Sequence, residues 1–177
     1  VTVLSIHADT DPAVDSSCYQ PKVVTGITNF GSAAYVDALE KRFGNSSLRV
    51  DNSYASNKTN GFTVDDHQDF DFGTGEFTIE MWARARTQSG VQTLFSYTGG
   101  TPFSLTTSSS GVITVNYYDE GSGQRTVLTG VVFPLASWKH VVVQKREGCY
   151  ETYLDGMLID TVRVPSEGGL NTNETLY

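Results

Sequence analysis

The run GEFTIEMWARAR at residues 75–86 constrains the fold more than any other part of this chain. Phe77, Ile79, Met81, Ala83 and Ala85 alternate with Glu76, Thr78, Glu80, Arg84 and Arg86, the period of two that a β-strand needs to face an apolar core with one side only. Trp82 breaks the pattern. Its ring falls on the charged face, where it needs cover from a loop, a second layer or a ligand. The sheet holding this strand is therefore not simply open to water on its second side.

Further strand signals follow at short, regular intervals. Residues 94–97, 103–106 and 112–118 are separated by Gly99-Gly100, by Ser108-Ser109-Ser110-Gly111 and by Glu120-Gly121-Ser122-Gly123; such spacing predicts antiparallel hairpins in an all-β domain. Tyr117 and Tyr118 are adjacent, so a strand would send them to opposite faces. Residues 138–146, 149–154 and 157–164 read as three consecutive antiparallel strands. Asp155-Gly156 is the two-residue turn that closes the last hairpin. Upstream, residues 1–8 carry apolar side chains at both parities, as in a strand covered on both faces. Short strands are expected at 23–26, 48–50 and 62–64. Residues 33–42 have the length of a helix of about two turns.

At 177 residues the chain is one domain's worth, enough for a two-layer core without staples. Its net charge is −8, with 20 acidic and 12 basic residues and no basic cluster, so nothing would neutralise phosphates and no nucleic-acid partner is expected. No apolar run approaches membrane-spanning length, and no membrane insertion is expected. The sequence opens at Val1 without a leader pattern or an initiator Met, which reads as a chain truncated upstream. Cys18 and Cys149 are far apart in sequence and are expected as free, partly buried thiols rather than as a bridge. Sequons at Asn45, Asn57 and Asn173 are what chance supplies in a chain rich in Asn, Ser and Thr.

Two places invite a cation. His7 with Asp9 and Asp11 lacks a second His or Cys to complete a transition-metal site, and an EF-hand reading of Asp9, Asp11 and Asp15 fails at Ala13 and Val14. The crowded DDHQDFD at residues 65–71 could relieve its repulsion with a cation, but a solvated turn anchored by Phe70 and Phe72 is the expectation.

Four blocks carry a family resemblance: FGNSSLRVDN at 43–52, FTIE-W with the following TLFSY at 93–97, WKHVVVQK at 138–145 and YLDGMLID at 153–160. In this order they resemble the laminin G-like and pentraxin branch of the concanavalin A-like lectin/glucanase superfamily. The resemblance implies a two-sheet antiparallel jelly-roll sandwich spanning residues 1–177 as a single domain, with short strands in the irregular stretch 18–41. It also implies closing strands beyond Tyr177, hence a chain truncated at both ends. The opening VLSIHADTDPAVDSS resembles that of laminin G-like domains in bacteriophage tail and virion proteins.

Three functions compete on such a fold. A glucanase needs paired carboxylates on one strand face, and Glu76 and Glu80 are separated by Thr78 where an E-x-D-x-E pattern would place a third acid. No enzymatic activity is expected. A lectin would use aromatic rings against sugar faces, with Trp82, Tyr117 and Tyr118 the candidate ligand-binding residues and Tyr54 and Tyr97 further aromatics. Pentraxins place an Asp-Asn calcium pair after the FSY strand, where this chain has Gly99-Gly100-Thr101-Pro102; calcium is the one cofactor the resemblance leaves possible. The third function, and the one expected here, is a structural or adhesion module of a virion, in capsid decoration or a tail fibre. Its partners would be other virion or surface proteins, or cell-surface glycans, within a larger assembly. The alternative is a secreted, extracellular, calcium-assisted carbohydrate-binding domain. Phe77, Ile79, Trp138, Leu154 and the Trp82 ring are expected to serve packing.

Overall fold

A computed structural model describes residues 6–7, 14–15, 24–27, 34–51, 61–65, 67–70, 72, 75–88, 90–97, 103–119 and 123–164. The expectations for Asp9, Asp11, Cys18, Tyr54, Asn57, residues 98–102 and Asn173 lie outside these residues. The described residues form two compact units, one up to Phe70 and one after it.

The first unit is built from short antiparallel pairs. β1 (Ile6–His7) pairs with β2 (Val14–Asp15), β3 (Val24–Ile27) with β6 (Gly61–Val64), and β4 (Ala34–Asp37) with β5 (Ser47–Val50). The stretch long enough for a helix therefore begins as a strand and continues as a turn. Asp37 fixes that turn: its carboxylate accepts from Leu39 N–H at 2.8 Å and from the Arg49 guanidinium at 2.9 Å, and the arginine holds the Asp37 carboxyl below its ordinary range. A 3-10 turn at Gln68–Phe70 follows, with Phe70 buried. Within the acidic stretch, His67 Nδ1 lies 3.1 Å from Asp69 Oδ2.

The second unit is a sandwich of two four-stranded antiparallel sheets. Its strands are β7 (Phe77–Ala83), β8 (Gln92–Tyr97), β9 (Phe103–Thr107), β10 (Val112–Asp119), β11 (Gly123–Val132), β12 (Lys139–Arg146), β13 (Cys149–Leu154) and β14 (Met157–Arg163). One sheet has the order β11-β10-β9-β8, the other β14-β13-β12-β7. Rings from both sheets meet between them: Phe77 and Tyr150 from one, Phe103 and Tyr117 from the other. Phe103 lies 5.6 Å from both Phe77 and Tyr150, and Tyr117 lies 5.1 Å from Tyr150. Val141, Val143, Leu105, Ile113 and Val115 complete the core, so apolar area leaves water on both inner faces at once.

Of the alternation read for residues 75–86, the part from Phe77 to Ala83 holds in register. Phe77, Ile79 and Met81 stand opposite Lys145, Val143 and Val141 on the inner face, while Thr78, Glu80 and Trp82 stand opposite Gln144, Val142 and His140 on the outer face. Phe72 stacks on Phe77 at 5.0 Å, the anchoring expected of it. Cys149 is free and half-buried. Two strands have no counterpart in the sequence reading, the two-residue β2 and, at ten residues the longest among the described strands, β11. Between its pairings with Val112 and Thr114 it passes from Val132 to Leu128, two residues more than β10 uses, and Gly130 within that span has φ 74°. A bulge of this kind breaks the period of two that marks a strand in sequence.

Candidate functional site

The outer face of the β14-β13-β12-β7 sheet gathers the chemistry. Alternation along β7 places Glu80 and Trp82 there, alternation along β12 adds His140, Val142 and Gln144, and β13 supplies Glu151 and Tyr153. Trp82 and His140 are direct cross-strand partners, and their rings stack with centroids 5.1 Å apart and planes 27° apart. The imidazole thus supplies part of the cover the indole requires, and 37% of Trp82 stays exposed. On its other side His140 Nε2 approaches Glu80 Oε2 at 3.4 Å. Its backbone N–H donates to Asp155 Oδ1 at 3.0 Å, and Asp155 Oδ2 takes Lys139 Nζ at 2.6 Å. The lysine first, then that N–H, holds the Asp155 carboxyl below its ordinary range.

A second cluster sits further along this face, on β12 and β13. Gln144 Nε2 donates to Glu151 Oε2, and the Tyr153 hydroxyl donates to the same oxygen at 2.8 Å. These two donors hold the Glu151 carboxyl below its ordinary range, and the carboxylate in turn pushes the Tyr153 phenol up. The result is one sheet face that carries an indole, an imidazole, the Glu80 and Glu151 carboxylates, an amide and a phenol, all placed by strand register, with Asp155 on the adjoining turn.

The structure separates the three candidate residues of the sequence reading. Trp82 lies on this face. Tyr117 does not: it is 6% exposed and tilted against Tyr150 inside the sandwich, so its expected role as a ligand contact is corrected to core packing. Tyr118 pairs with Gln124 along the ladder between β10 and β11, and its side chain lies outside what is described. His140, Gln144, Glu151 and Tyr153 were missed by the sequence reading. Their signal is the alternation of His140, Val142 and Gln144 against Val141 and Val143, which marks an outer face without saying which strand lies beside it.

Of the two carboxylates weighed for a glucanase, Glu80 lies beside His140, and Thr78 stands between it and Glu76 in sequence. Glu76 Oε1 moreover accepts the backbone N–H of Glu147 at 3.2 Å. Among the described residues no three His, Cys, Asp or Glu side chains gather to hold a metal ion, and no helix is long and apolar enough to cross a membrane.

The two-sheet sandwich is an all-β fold, and the chain belongs to the concanavalin A-like lectin/glucanases superfamily, whose laminin G-type model matches residues 56–177. Among solved structures, a β-glucanase from Bacillus licheniformis is similar over 91% of this chain and 79% of its own, at 14% identity and a TM-score of 0.51. Domains LG4-5 of the mouse laminin alpha1 chain give 16% identity and a TM-score of 0.46 over 57% of this chain and 27% of theirs. The CBM40 of the Ruminococcus gnavus IT-sialidase, bound to alpha2,3 sialyllactose, gives 16% and 0.47 over 57% and 62%. The chain thus spans less than two thirds of the laminin and CBM40 chains. No curated protein matches it.

Proposed function

We propose that this chain is a non-enzymatic glycan-binding and adhesion module that works through the outer face of the β14-β13-β12-β7 sheet. The observation that carries the reading is Trp82, an exposed indole held flat against His140 with the Glu80 carboxylate beside it. An aromatic plate offers its face to the C–H side of a sugar ring, and carboxylate and amide groups nearby exchange charge-assisted hydrogen bonds with hydroxyls. Membership in a lectin-containing family supports the same use. The absence of an acid at Thr78, where an E-x-D-x-E pattern would have one, supports binding without cleavage. A glycan array probed with the wild-type chain and with W82A tests this. Wild type binds a subset of glycans, and W82A loses at least about tenfold in affinity; an array without hits, or W82A binding unchanged, sinks the proposal.

The finer reading places the module in a bacteriophage virion, as capsid decoration or part of a tail fibre, with the whole chain as one laminin G-like domain. It is supported by the opening VLSIHADTDPAVDSS, which resembles that of phage laminin G-like domains. Recovery of the chain at fixed stoichiometry in a fast-sedimenting particle from its native source would bear this out. Recovery only as a small species would favour a secreted domain, and repeating the array with and without calcium then decides whether the ion assists binding.

A further inference from the structure

His140 joins the two parts of the proposed glycan surface, the indole and the carboxylate. Its ring stacks on one face of Trp82, with centroids 5.1 Å apart, and its Nε2 lies 3.4 Å from Glu80 Oε2. The side chains of His140 and Glu80 are 27% and 66% exposed, so protons and ligands reach both. The backbone of His140 is pinned as well. Its N–H donates to Asp155 Oδ1 at 3.0 Å, and its carbonyl accepts from the Asp155 N–H at 2.8 Å. Register and these two bonds fix the position from which the imidazole acts.

The charged and titratable groups around His140 come from three strands and a turn. β7 contributes Glu80, and Arg84 follows Trp82 by two residues. The turn between β13 and β14 contributes Asp155, which takes Lys139 of β12. β13 contributes Tyr153, opposite Val142 in the ladder. The Asp155 carboxyl is held below its ordinary range and the Tyr153 phenol is pushed above its own, so neither changes charge between about pH 5 and 8. Histidine is the side chain whose ordinary charge change falls in that window.

We infer that protonation of His140 weakens glycan binding at this face, so that the module binds near neutral pH and releases in mild acid; this rests on the glycan-binding reading above. An imidazolium draws the Glu80 carboxylate into a charge-assisted hydrogen bond, and a carboxylate so engaged accepts less from a sugar hydroxyl. The same cation lies against the π-system of Trp82 and is attracted by its electron density. That density is then less available on the opposite face, where a sugar ring would lay its C–H side. Both effects have one sign, and loss of the proton reverses both. By linkage, a bound glycan makes His140 harder to protonate by the same factor as the proton weakens the glycan.

Glycan arrays run at about pH 7.5 and about pH 5.5, with wild type and H140Q over a concentration series, test this. Wild-type affinity falls at least about fivefold at the lower pH. H140Q, whatever affinity it keeps, binds equally at both, and circular dichroism checks that each chain is folded at each pH. A second measurement needs no glycan. In an NMR pH titration of the free chain, the Trp82 indole N–H follows the His140 ring with one midpoint, and in H140Q it does not move. Wild-type affinity that is equal at both pH values, or higher in acid, overturns the inference and leaves glycan binding intact. So does a pH dependence that H140Q retains, or an indole that ignores the His140 titration. Arrays empty at both pH values sink the glycan-binding reading itself, and the switch with it.

Discussion

Phe103 has the Phe77 and Tyr150 rings within 5.6 Å and is almost wholly buried where the two sheets meet. Removing its ring leaves a cavity that the aromatic neighbours can only partly fill. F103A is therefore expected to cost about 3–5 kcal/mol in denaturant unfolding, and a loss below about 1 kcal/mol would show that the core is not organised around it. Gly111 is constrained differently. Its φ is +81°, and a Cβ there would overlap the Gln88 side chain. G111A should lower the melting temperature through both strain and crowding; unchanged melting would mean that Gln88 swings clear. At this scale sequence is an uneven guide. Trp82 was visible as a misfit because its own strand pattern excluded it from the core. Tyr117 and Tyr118 could not be ranked as ligand contacts, since adjacency says they face opposite ways but not which way is in. The stack of Trp82 on His140 depends on pairing residues 58 positions apart, which no local pattern contains.

Strands declare themselves when their period is clean and hide when it is not. β7 was legible because apolar and polar residues alternate along it, and β13 and β14 because Asp155-Gly156 fixes the turn between them. β11 was not, because its bulge and Gly130 break the alternation. The Asp155-Gly156 turn has φ of 51° and 80° at its two residues, the mirror-image turn that matches strand twist. A Cβ at Gly156 meets nothing within 4 Å, so G156A isolates backbone strain: a loss of about 1 kcal/mol is expected in chemical denaturation, without any change in glycan binding. The hairpin of β4 and β5 carries a pH dependence. Asp37 is held below its ordinary range, chiefly by Arg49. A carboxyl lowered on folding adds stability above its unfolded value and loses it as pH falls through the folded one. R49M removes the largest cause, so this contribution shrinks, the chain is less stable above the window, and the acid-unfolding midpoint should move up. A midpoint that stays put would unlink this pair from folding.

For the molecule as a whole, the four blocks from residue 43 to residue 160 fixed the family because a jelly roll is written in the order and spacing of its strands. Its work is not written there, since the same sandwich serves lectins, hydrolases and scaffolds. The proposed binding surface is assembled from three strands: β7 brings the indole, β12 the imidazole and amide, β13 the carboxylate and phenol. The most direct test of that surface is chemical-shift mapping of the isotope-labelled chain titrated with a glycan that it binds. The account predicts shifts centred on Trp82, His140, Val142, Gln144 and Tyr153, with the inner-face Val141 and Val143 much less affected. Shifts confined to the outer face of the β11-β10-β9-β8 sheet, with the Trp82 indole unmoved, would contradict it.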